Sequence, residues 1–192
     1  GARQGFSIAT DVTIPITSIE NLPALVADRV AAGFTYFKVK ANKEPVSDLI
    51  AKLKLIEELT PSGSHIRIDA NQAWDLGHTA EVLASISECG LVIDYLEQPT
   101  PSRDFTALAK VKEISSIAIM ADESCFTLGD LEELIELKAM DLVNLKLLKS
   151  GGLTTARRMA RVAIDAGLGV YVGSMMEGDQ SIRAAATLAA EI

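Results

Sequence analysis

Short apolar or β-branched runs alternate with longer amphipathic ones along the whole chain, and this alternation limits the possible folds more than any single motif. The strand-like runs are SIATDVTI (7–14), FTYFKVK (34–40), HIRID (65–69), LVIDYLE (91–97), IAIMAD (117–122), DLVNLK (141–146) and LGVYVGS (168–174). Helix-like runs with apolar spacing near 3.6 fill residues 19–33, 45–59, 78–90, 104–114, 127–138, 152–167 and 181–192. Strict β-then-α order means parallel strands covered by helices. An open doubly wound sheet and a closed barrel compete. No G-x-G-x-x-G follows the first strand, and the units are alike in length. The expectation is therefore an α/β fold, a TIM-type (β/α) barrel, in one domain over residues 1–192. A barrel needs eight strands and typically about 250 residues. Seven units are present, so the closing strand is expected to lie outside this sequence, leaving two edges to be covered.

Composition excludes some functions. A net charge of −8 argues against nucleic-acid and anionic-membrane partners. Cys89 and Cys125 have no metal-like spacing and read as free thiols. With no leader and no membrane-length apolar run, a cytoplasmic protein acting on a small molecule is expected.

The charges at strand ends carry the chemistry. Lys38 and Lys40 end the second strand, Asp69 the third, Glu97 the fourth, Asp122 the fifth and Lys146 the sixth. Phe37, Val39, Ile66, Ile68, Ile119, Ala121, Val143 and Leu145 alternate with them. Period-2 alternation turns those apolar residues to the helices and the charges to the barrel interior, at the C-terminal mouth. Strands lie about 4.8 Å apart, so the three carboxylates crowd together. A divalent cation would relieve their repulsion, and an all-oxygen set suits Mg²⁺, with Mn²⁺ next. Strands two and six face each other across an eight-stranded barrel. Lys40 and Lys146 could then serve opposite faces of one substrate carbon, abstracting and returning an α-proton while the cation stabilises the enolate. Lys38 is read as the neighbour that lowers the pKa of Lys40 and as an extra cation.

Lesser features stay open. Asn71 could bond a metal-bound group or form a turn. Glu123 could orient Lys146 or a ligand, or make a loop ion pair. Trp74 reads as packing, and KSGG (149–152) as an anion cradle or a plain turn.

The stretches FKVKAN, IRIDANQAW, YLEQPTP, IMADES, NLKLLKSGG and GSMMEG together resemble the barrel domain of the enolase superfamily, in its muconate-lactonizing subgroup. Within it, TDVTI (10–14) and VGSMMEG (172–178) look most like dipeptide epimerases of the L-Ala-D/L-Glu type. The resemblance implies Asp69, Glu97 and Asp122 as metal ligands, Lys40 and Lys146 as paired acid and base, and a 1,1-proton transfer on a carboxylate or dipeptide. It puts Thr13, Lys38, Ser174 and Met175 at the substrate. It also implies a capping domain and an eighth strand absent from these 192 residues, and a homo-oligomer. Muconate cycloisomerase, an o-succinylbenzoate synthase-like lyase, a Schiff base on Lys146 and an inactive truncated domain are the alternatives.

Overall fold

A computed structural model describes residues 8–192. Its strands are β1 (Val12–Ile14), β2 (Tyr36–Lys40), β3 (His65–Asp69), β4 (Tyr95–Glu97), β5 (Ala118–Ala121), β6 (Leu142–Lys146) and β7 (Gly169–Gly173). The helices are α1 (Leu22–Ala31), α2 (Val46–Leu59), α3 (Leu76–Cys89), α4 (Phe105–Ile114), α5 (Leu128–Glu136), α6 (Leu153–Asp165) and α7 (Asp179–Glu191). All strand pairs are parallel, in the order β1 to β7. This is the expected α/β architecture, a curled seven-stranded part of a (β/α) barrel. No helix among the described residues is long and apolar enough to cross a membrane.

Most element bounds shift by a residue or more from those expected. The first strand is only Val12–Ile14, and residue 7 lies outside the described residues. The fourth pairs only over Tyr95–Glu97. Leu91 and Ile93 are buried in the core, so burial, not ladder pairing, explains that apolar run. Asp122 sits one residue beyond β5. Pro23 near the start of α1 accounts for its late start, with a single 3-10 turn at Ile19–Asn21 before it.

The predicted alternation is observed. Phe37, Val39, Ile66, Ile68, Leu96, Ile119, Ala121, Val143 and Leu145 join one core cluster with the inner faces of the helices. The opposite face curls round a buried cation. The Arg67 guanidinium on β3 lies 4.6 Å from the Tyr36 ring centre and 5.3 Å from those of Tyr95 and Tyr171. Its Nη1 donates to Asp11 at 2.8 Å. Asp11 directly precedes β1 and Tyr171 is on β7, so both ends of the sheet approach the same guanidinium. Between them lies a cavity of about 620 Å³, lined in part by Ala9, Tyr36, Arg67, Tyr171 and Val172.

Candidate active site

The parallel register sets the site one strand at a time. Lys40 stands opposite Asp69, and Asp69 opposite Glu97. Asp122 follows β5, and Lys146 closes β6. Along the rim the order is Lys40, Asp69, Glu97, Asp122, Lys146, with an amine at each end of a row of acids. The three carboxylate side chains are 0–1% exposed.

Each acid is met by a lysine. Lys40 Nζ lies 2.7 Å from Asp69 Oδ2. Lys38 Nζ bridges Asp69 Oδ2 and Glu97 Oε2, at 3.2 Å from each. Lys146 Nζ donates to Asp122 Oδ2. Sequence reasoning missed three further members. Lys149, whose side chain is 1% exposed, donates to Asp122 Oδ1 at 2.5 Å, to the Asp122 carbonyl at 2.5 Å and to the Asn144 carbonyl at 3.1 Å. Asn144 Nδ2 donates to Glu97 Oε1 at 2.7 Å. Gln98, fully buried, accepts from the amides of Asp122 and Ser124, both at 3.0 Å, tying the loop after β4 to that after β5. Asn144 was legible by parity, two residues before Lys146 on the same face. Lys149 falls in the turn after β6, where parity gives no direction. The KSGG segment forms that turn, with Gly151 and Gly152 at positive φ.

The electrostatics follow from burial. Burial pushes the Glu97 carboxyl up to about 7, Lys38 pulls against it, and the neighbouring charges of Asp69 and Asp122 add to it. Burial alone would also raise Asp122, but Lys149 and Lys146 outweigh it and hold the carboxyl below its usual range. For Lys38, burial favours the neutral amine, yet Glu97 and Asp69 prevail and keep its pKa above the ordinary lysine value. Carboxylates, more than a second amine, therefore dominate the surroundings of Lys38 and favour its charged form.

Divalent-cation binding can be tested against these contacts. Among the described residues no three acids are gathered into a ready cage. Their oxygens face amines instead, and Lys38 Nζ takes the place of positive charge between Asp69 and Glu97. The donor set still fits: three buried carboxylates that end or follow neighbouring strands and turn their oxygens to one rim. Hard oxygen donors of this kind suit Mg²⁺.

Other expected residues lie around this row. Thr13 is exposed on β1, opposite Lys38 in register. Ser174 and Met175 are exposed just past β7, whose Gly173 pairs with Lys146. Glu123 bonds Asn71, not Lys146. Trp74 is buried and donates to the Asn42 carbonyl at 2.8 Å, which is packing.

Residues 21–192 match the enolase C-terminal domain-like family. The chain belongs to that family. As an enolase C-terminal-like domain, it is 34% identical over 184 residues to the L-Ala-D/L-Glu epimerase of Bacillus subtilis (strain 168), covering 96% of this chain and 50% of that protein. A substrate-liganded structure of the B. subtilis epimerase superposes with a TM-score of 0.92, over 96% of this chain and 52% of that one. A dipeptide epimerase of Enterococcus faecalis V583, complexed with Mg and L-Leu-L-Tyr, is 33% identical with a TM-score of 0.89, over 95% and 51% of the two chains. The domain thus spans about half the length of the curated relatives it matches, and those relatives are isomerases.

Proposed function

We propose that this domain carries the proton-transfer site of a dipeptide epimerase, acting at the α-carbon of a residue whose carboxylate docks in the acid row. The observation that carries the reading is the pair of amines, Lys40 and Lys146, at opposite ends of the three buried acids. The relatives, at about 34% identity, support the same reaction class.

Asp69, Glu97 and Asp122 would hold a divalent cation, Mg²⁺ by their donor type and by the Mg complexes of similar structures. When bound, that cation would supply Lewis-acid stabilisation for charge growing on the substrate carboxylate. Lys40, as the neutral amine, accepts the α-proton from one face, and the C–H electron pair spreads onto the carboxylate. Lys146, as the ammonium, returns a proton from the other face. In the reverse direction the two exchange roles. Lys38 stays charged and offsets negative charge beside them. Thr13 within β1, and Ser174 and Met175 just past β7, are proposed to line the side-chain pocket. An L-Ala-D/L-Glu dipeptide is the proposed substrate, drawn from the B. subtilis relative.

Incubating L-Ala-L-Glu and L-Ala-D-Glu in deuterated water with Mg²⁺ tests the reading. Deuterium should enter the Glu α-position of both with inversion. Lys146→Met should abolish inversion while leaving exchange on one epimer only. If neither dipeptide takes up deuterium, the substrate assignment fails. Loss of exchange on both epimers in Lys146→Met removes the two-base assignment.

A further inference from the structure

Lys40 Nζ has two acceptors: Asp69 Oδ2 at 2.7 Å and Asn71 Oδ1 at 2.5 Å. Asp69 belongs to the acid row proposed for a cation, so Asn71 is the acceptor left wholly to the amine. An amide can present either end, its oxygen accepting or its nitrogen donating. Which end faces Lys40 is decided on the far side, where Asn71 Nδ2 donates to Glu123 Oε1 at 3.1 Å. A carboxylate only accepts, so it commits the amide nitrogen to itself and the oxygen to Lys40. The Asn71 backbone holds the side chain in reach. Its N–H donates to Asp69 Oδ1 at 3.0 Å, and its φ of 44° lies in the left-handed region that asparagine tolerates. Glu123 uses one oxygen in this way, while Oε2 is buried without a partner.

We propose that Asn71 and Glu123 are positioning residues for the base. Glu123 fixes the Asn71 amide, and the Asn71 oxygen takes one N–H of Lys40, leaving the amine's lone pair for the substrate α-proton. The strut runs from the end of β3 to the end of β5, past the mouth of β4, and serves Lys40 alone. Lys146 is held separately by Asp122. This assignment rests on Lys40 being a base, and its consequence is asymmetric: loosening the strut impairs one of two otherwise paired amines.

Glu123→Gln, which frees the amide to turn over, and Asn71→Gly, which removes it without straining a left-handed backbone, test the strut in the full chain. With the two Ala-Glu epimers in deuterated water, inversion should fall about 10- to 100-fold in both variants. Exchange without inversion should persist on the epimer that Lys146 deprotonates. Competitive acetylation with acetic anhydride, read by peptide mass mapping, adds a measure independent of turnover: Lys40 should label faster relative to Lys146 than in the wild type. Equal loss of exchange on both epimers overturns the proposal, as does no change in inversion or an unaltered Lys40-to-Lys146 labelling ratio. A wild type inert toward both dipeptides removes the catalytic reading instead, and the labelling ratio then decides the strut by itself.

Discussion

A methyl group on Gly173 would come 2.5 Å from Asn144 Oδ1 and 3.1 Å from Lys146 Cε. The glycine leaves room for two side chains of the site at once. Gly173→Ala should therefore destabilise by about 1–3 kcal/mol through overpacking. It should also slow exchange on the epimer that Lys146 serves; thermal melts and deuterium uptake check the two effects separately. The cysteines give a second residue-scale test. Burial pushes the Cys125 thiol up to about 12, while Cys89 is exposed. Iodoacetamide at neutral pH should modify Cys89 alone in the folded protein, because the thiolate is the reactive species. A second alkylated site before unfolding would contradict the burial of Cys125. The six charged residues at strand ends were legible because period 2 fixes the face of each strand residue. Lys149 and Gln98 were not, because their positions depend on loop geometry that no periodicity encodes.

Among the elements, α5 shows how local signals fix a boundary. Thr127 accepts from the Asp130 amide at 3.1 Å, and Asp130 Oδ2 accepts from the Thr127 amide at 2.8 Å, a reciprocal capping box. Thr127→Ala should cost about 1 kcal/mol, read as a lowered urea midpoint. Burial works to raise the Asp130 carboxyl, but the Thr127 and Phe126 hydrogen bonds outweigh it and hold it below the ordinary 3.8. A carboxyl held low in the fold stabilises fully above its unfolded value, and that contribution disappears as pH falls through the lower folded one. The stability gap between wild type and Asp130→Asn should accordingly close in acid; a constant gap would remove the charge from the explanation. The helices themselves were readable from apolar spacing to within a few residues. Strand ends were less so, because Leu91 and Ile93 are buried without pairing and look like ladder residues in sequence.

At the scale of the molecule, the alternation of units predicted both parallel order and curl. Seven strands and their sequential register leave β1 bonded only to β2 and β7 only to β6 among the described residues. The sequence could not show how closely the two ends approach, because that depends on side chains meeting across the interior: Arg67 with Tyr36, Tyr95 and Tyr171. A cation bound by the acid row would act on this whole assembly through linkage. At about 100 times its dissociation constant Mg²⁺ should add about 2.7 kcal/mol, raising the melting temperature by about 5–10 °C. EDTA should reverse the shift, and an unchanged melt would argue against Asp69, Glu97 and Asp122 as ligands.

Four ammonium groups, Lys38, Lys40, Lys146 and Lys149, meet three carboxylates at the mouth. The molecule as a whole carries −8. The mouth is thus spared the negative excess of the chain, and a divalent ion held there would make it more favourable still for an anion. The same lysines that neutralise the acids in the folded domain therefore also ease the approach of a carboxylate to them.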